Sequence, residues 1–170
     1  MTSIRRIRNK GREAFTLIEM LIVIVILGIL AMVIIPQIST STDDAKLSTL
    51  QTNLNAMRNA VELYYAQHNS SYPGAQLGGA TSATEAFVQQ LTRYTDVDGN
   101  ISNVKDATFK YGPYIKGGEL PTNPFNELNT VMVDTVQNDI TVRASDATTG
   151  WMFYTITGVL MANDGNHDTE

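Results

Sequence analysis

The side chains best placed for chemistry in this 170-residue chain are oxygen donors close to its end. Asp164, Asn166, Asp168 and Glu170 alternate with other residues, a spacing that lets one loop aim several oxygens at a hard cation such as calcium. The same spacing also suits a solvated acidic chain end. Asp96, Asp98 and Asn100 repeat the opening of an EF-hand loop, but Ile101 stands where that loop needs glycine and Ala107 where it needs glutamate. That stretch reads as a turn. Cysteine is absent and His68 and His167 are the only imidazoles, which excludes disulfides and thiolate metal sites and leaves little for a transition metal. No Gly-x-Ser-x-Gly elbow occurs, Gly78-Gly79 lacks the lysine of a phosphate loop, and the carboxylates form no paired constellation. The chain reads as a non-enzyme, with calcium at Asp164, Asn166 and Asp168 the one cofactor to test.

A single carboxylate, Glu19, stands inside an otherwise uncharged run from Phe15 to Ile35. At about 1.5 Å per residue a helix over this run is roughly 31 Å long, enough to cross a bilayer core. Five basic residues, Arg5, Arg6, Arg8, Lys10 and Arg12, precede it against one Glu, and the other 156 residues carry seven basic against sixteen acidic. Such an asymmetry keeps the basic end in the cytoplasm and exports the acidic part. Outside the leader no basic patch remains to neutralise phosphates, so nucleic acid is not an expected partner.

The apolar run is too long for a conventional secretory signal. A plain single-pass anchor fits its length but gives no reason for Glu19, since a carboxylate in hydrocarbon costs about 2.5–3.5 kcal/mol on insertion scales. Either Glu19 snorkels to the headgroups or is protonated, or it has a partner.

Ala14-Phe15-Thr16-Leu17-Ile18-Glu19-Met20 and the apolar residues that follow, to Ala31, resemble the start of type IV pilins and of type II secretion pseudopilins. The resemblance implies a cut between Ala14 and Phe15 by a prepilin peptidase, methylation of the new amino terminus on Phe15, and retention of the membrane helix. It makes Glu19 an assembly residue, attracted to the amino terminus of a neighbouring subunit. Opposite charges in a low-dielectric setting offset each other's desolvation. Ala14 stands where the family usually has glycine.

Gly28 and Pro36 punctuate the run, and proline removes a helical bond and crowds the preceding turn. A break is expected there: an ordinary kink at the membrane exit, or, as the resemblance implies, a stretch that melts as subunits pack. The polar residues 39–44 offer caps for a renewed helix. Leu47, Leu50, Leu54, Met57, Val61 and Tyr64 then recur at spacings of three and four, one apolar stripe on a helix reaching about Gln67. Lys46, Arg58 and Glu62 are expected to face water or another subunit.

Residues 69–84 are turn formers and a Gly/Ala/Thr-rich loop, and a short helix is expected over 84–94. Prolines in 111–125 forbid interior strands there. Three β-rich runs close the chain, 130–136, 140–143 and 151–162, the last broken near Gly158, and read as a small antiparallel meander or hairpin pair packed on the long helix. Ser71-Tyr72-Pro73, Tyr114-Ile115 and Leu120-Pro121-Thr122-Asn123-Pro124-Phe125 resemble, in this order, the major pseudopilin branch.

The fold expected is α+β and type IV pilin-like, a long N-terminal helix on a small antiparallel sheet. Its parts are a cleaved leader (1–14), a transmembrane and filament-core helix (15–36), the amphipathic half of the helix (37–68) and a globular head (69–170). The function expected is that of a structural subunit, polymerised into the pseudopilus of a type II secretion system. Its partners are then itself, the peptidase and methyltransferase, an inner-membrane assembly platform, minor pseudopilins or pilins, and the bilayer. It starts in the bacterial inner membrane, single-pass with a cytoplasmic N-terminus, and ends in a periplasmic or cell-surface filament. A surface pilin is the alternative, disfavoured by the missing cysteine pair; a membrane-tethered binding module needs neither processing nor Glu19.

Overall fold

A computed structural model describes residues 15–142 and 147–169, with the side chains of 33–41 left aside. The leader 1–14, including Ala14, lies outside the described residues, as do Arg143 and Glu170. Two compact units are present, Met1–Asp43 and Asp44–Glu170.

The first unit carries the start of α1, Leu17–Gln67, a single 51-residue helix. Its side chains from Leu17 to Met32 are apolar on every face apart from Glu19, and exposed. A helix of that kind needs an apolar environment from outside its own chain. Among the described residues no helix is long and apolar enough to cross a membrane; the described side chains stop at Met32, whereas the uncharged sequence run continues to Ile35. α1 passes through Gly28 and Pro36 without ending, and residues 39–44 lie within it rather than capping a second helix. Proline in a helix interior can bend the backbone without terminating it.

In the second unit the stripe of α1 meets the core as its period requires. Leu50, Leu54, Met57, Val61 and Tyr64 are buried with Phe87 and Leu91 of α2 (Ala83–Thr92), and Leu47 packs at the edge. Ser82 caps α2, its hydroxyl accepting the Glu85 N–H at 3.2 Å. Facing the helices is a three-stranded sheet of β3 (Val131–Asp134), β4 (Trp151–Tyr154) and β5 (Leu160–Ala162). Val131, Trp151, Phe153, Leu160 and Ala162 point into that core. Met132, Met152 and Met161, directly opposite one another in register, form a second apolar cluster with Tyr154 on the reverse face.

The sheet is mixed, which corrects the expected antiparallel meander. β4 and β5 are antiparallel, but β3 and β4 run parallel, Val131 beside Trp151 and Asp134 beside Tyr154. Parallel neighbours need a long return connection, and residues 135–150 supply it. The run 140–143 is not a strand in its described part, 140–142. Asp139 Oδ1 accepts the Thr141 N–H at 2.9 Å and its hydroxyl at 2.7 Å, so local turn chemistry overrides β-propensity there. A separate two-stranded hairpin, β1 (Tyr94–Thr95) with β2 (Ile101–Ser102), follows α2.

Candidate assembly site

Phe15 is 75% exposed immediately before α1, and Thr16 and Glu19 close the first turn on each other. Glu19 Oε2 accepts the Thr16 N–H at 2.8 Å and the Thr16 hydroxyl at 2.7 Å, while Thr16 Oγ1 accepts the Glu19 N–H at 3.3 Å. This is a capping box, in which a Thr-x-x-Glu pair satisfies backbone donors that the first helical turn leaves without partners. It holds the carboxylate at the positive end of the helix, one turn from Phe15, where negative charge is favoured. Glu19 therefore presents an oriented carboxylate on an otherwise apolar terminus. Of the assembly residues expected from sequence, Glu19 closes on Thr16, the residue next to Phe15, and Gly28 has nothing within 4 Å of where a Cβ would lie. Thr16 is the member that sequence reading passed over, although Ser/Thr three residues before Glu at a helix start is a recognisable signature.

Among the described residues the late oxygen donors turn to hydrogen bonds within the head. Asp164 Oδ1 accepts the N–H groups of Asn166 and His167, both at 2.9 Å, and lies 3.0 Å from His167 Nδ1; Asp164 Oδ2 accepts Asn123 Nδ2–H at 3.1 Å. Burial alone would raise the Asp164 carboxyl, but these bonds outweigh it and hold the group below the usual carboxylate range. Asn166 is exposed and Asp168 half-buried, and among the described residues no group of three or more His, Asp or Glu side chains could hold a metal ion. Both Asp164 oxygens are thus engaged by N–H donors, and Glu170, the last donor of the alternating set, lies outside the described residues. Asp96 likewise folds its own turn, Oδ1 accepting the Asp98 and Asn100 N–H groups at 3.0 and 2.9 Å.

These bonds serve to fix the head. Asn123 is fully buried, accepts the Phe125 N–H on Oδ1 at 2.9 Å, and donates Nδ2–H to the Gly150 carbonyl at 3.0 Å as well as to Asp164. It thus joins the Pro121–Leu128 loop to the start of β4 and to the chain end. His167 stacks on Phe125 with ring centroids 3.7 Å apart, and Lys46 of α1 sits 5.9 Å from the same ring. Arg58, expected to face water or another subunit, instead donates Nε–H and Nη2–H to the Leu160 carbonyl of β5 at 3.2 and 2.9 Å. Glu62 does remain exposed.

The model of the prokaryotic N-terminal methylation motif matches residues 9–35, the leader end and the apolar helix together. Over 118 residues the chain is 30% identical to the type II secretion system core protein G of Pseudomonas aeruginosa, covering 69% of this chain and 71% of that one. The chain belongs to the type II secretion core protein G family. The core protein G of Klebsiella michiganensis is 33% identical over 94 residues, 55% of this chain and 66% of its own length. A fimbrial protein of Neisseria meningitidis serogroup B is also similar, 29% identical over 112 residues, 66% of this chain and 65% of its own. No solved structure gives a match. As a core protein G family member, the chain is a pilin-like structural subunit, and its α+β architecture of one long helix and a small sheet agrees. The matched motif, residues 9–35, contains both Thr16 and Glu19 of the capping box.

Proposed function

We propose that this chain is made as a single-pass inner-membrane precursor with residues 1–14 on the cytoplasmic side. A prepilin peptidase cuts between Ala14 and Phe15, Phe15 is methylated, and the subunit polymerises into the pseudopilus of a type II secretion system. The observation that carries this reading is the Thr16–Glu19 box, because it sets an oriented carboxylate one turn from the terminus that cleavage would create. Removal of the leader frees an amine beside Thr16. A carboxylate and an amine in an apolar filament core attract strongly, so Glu19 of one subunit can receive the terminus of the next. The apolar turns from Leu17 to Met32 supply the remaining contact area, first to lipid and then to neighbouring helices. The second unit then spaces and decorates the filament.

Mass measurement of membrane-extracted protein tests processing: loss of residues 1–14 and one added methyl are expected, and an intact leader refutes it. Glu19→Ala tests assembly, with filament yield expected to collapse while the head stays folded. A surface pilus is the second reading, favoured by the similarity to the Neisseria fimbrial protein. Locating the filament by labelling the head on intact cells decides between them, since a secretion pseudopilus stays inaccessible to an external label.

A further inference from the structure

His68 follows the last residue of α1 and is 1% exposed, yet nothing in filament assembly calls on it. Its ring lies parallel to Tyr64 at 3.7 Å between centroids, with Tyr111 at 5.2 Å and Tyr114 at 6.2 Å around its edge. Nδ1 lies 2.8 Å from the Tyr64 carbonyl, which can only accept, so Nδ1 carries the proton. Nε2, 2.9 Å from Thr95 Oγ1, is then the acceptor of the Thr95 hydroxyl in the neutral ring. Thr95 belongs to β1 and is itself fully buried. One neutral imidazole therefore joins the end of α1 to the β1–β2 hairpin, and Tyr111 closes over it through backbone bonds to Thr95 at 3.1 Å in both directions.

The groups facing His68 offer a positive charge little support. Tyr64 comes from α1 and Tyr111 and Tyr114 from the loop after β2; burial pushes the Tyr114 phenol up to about 12 and Tyr64 higher still, so neither supplies an anion near neutral pH. Asp96, next to Thr95, has its carboxylate turned to Asp98 and Asn100 and makes no ion pair with the ring. Lys110 stands 5.1 Å from the Tyr111 ring, a further positive charge on that side. Burial outweighs the carbonyls of Tyr64 and Asp96 and the Asp96 charge, and lowers the imidazole from its ordinary value.

We propose that His68 is an acid-released latch: neutral, it ties the β1–β2 hairpin to the end of α1, and protonated, it lets the hairpin and its Tyr111 bridge open. The proposal concerns the second unit alone and stands independently of the filament reading. The direction follows from linkage. The closed state binds the proton more weakly than the open one, so closure is fully favoured above the ordinary histidine value of about 6.5 and weakens as pH falls below it.

Amide hydrogen exchange on the full chain in detergent, corrected for intrinsic rates, tests this between pH 7.5 and 5. The Thr95 and Tyr111 amides are expected to lose protection by up to about tenfold per pH unit below 6.5, the limit for one proton, while the Trp151 amide in β4 keeps its protection. His68→Gln should abolish the slope and His167→Gln should leave it intact. Parallel loss at Trp151, an unchanged slope in His68→Gln, or a slope that disappears with His167→Gln overturns the proposal. Should His68→Gln fail to fold, the ring protons of the parent protein decide by NMR: titration of His68 below its ordinary value supports the latch, and titration at that value overturns it.

Discussion

Asn123 offers a severe test of how the head is held, because a truncation and an isosteric substitution should rank in an unintuitive order. Asn123→Ala removes the acceptor for the Phe125 N–H and the donor shared by the Gly150 carbonyl and Asp164 Oδ2, all from a fully buried side chain. The Gly150 carbonyl keeps the Asn163 N–H, so that loss amounts to about 1 kcal/mol, whereas the stranded Phe125 N–H and the Asp164 carboxylate cost about 1.5 kcal/mol each. The total is about 4 kcal/mol, a large part of the 5–15 kcal/mol that roughly bounds domain stability. For a unit of this size it corresponds to a fall of about 12–20 °C in thermal midpoint. Asn123→Asp keeps the shape and the bond to Phe125, yet puts a carboxylate oxygen where Nδ2 now donates, beside the Gly150 carbonyl at 3.0 Å and Asp164 at 3.1 Å. Two carboxylates in bonding contact cannot both stay ionised without strong repulsion. At pH 7 the aspartate should therefore be the less stable of the two, although it changes fewer atoms. The pair's raised pKa reverses the ranking in acid: as pH falls one shared proton restores a bond, and Asn123→Asp gains on Asn123→Ala. Circular dichroism melts at pH 7 and pH 4.5 read both effects. An Asn123→Asp protein as stable as the parent at pH 7 would refute the bridging role.

Other consequences are equally direct. Thr16→Val deletes the hydroxyl that both donates to and accepts from Glu19, and should lower filament yield, with Thr16→Ser restoring it; equal yields for all three would show that the box plays no part in assembly. Ala14→Gly places the family's usual residue before the expected cut and should raise the processed fraction in a pulse-chase on gels. Leu54→Ala opens a hole at the centre of the stripe, under a fully buried side chain, and should cost about 3 kcal/mol by denaturant unfolding without changing leader removal.

The helices were legible because their period is carried by side chains close in sequence. The spacing of Leu50, Leu54, Met57, Val61 and Tyr64 marks the buried face of α1, and the end at Gln67 follows from the turn formers after it. Strand order was not legible, because Thr130 to Ala162 reads equally well as a meander until the fate of residues 135–150 is known. Asp134 decides part of it: Oδ1 accepts the Val136 and Gln137 N–H groups, at 2.7 and 2.8 Å, which stops β3 and turns the chain away from a hairpin. The site divides in the same manner. Glu19 announces itself as a charge in an apolar run, whereas the oxygens of Asp164, read from sequence as cation donors, also accept the N–H bonds that close the head. That outcome depends on Asn123, 41 positions earlier, in a loop whose prolines explain only why it is not a strand. Long-range polar closure of this kind leaves no periodic trace. The terminal apparatus, built within four residues, is therefore far easier to read from sequence than the head it has to carry.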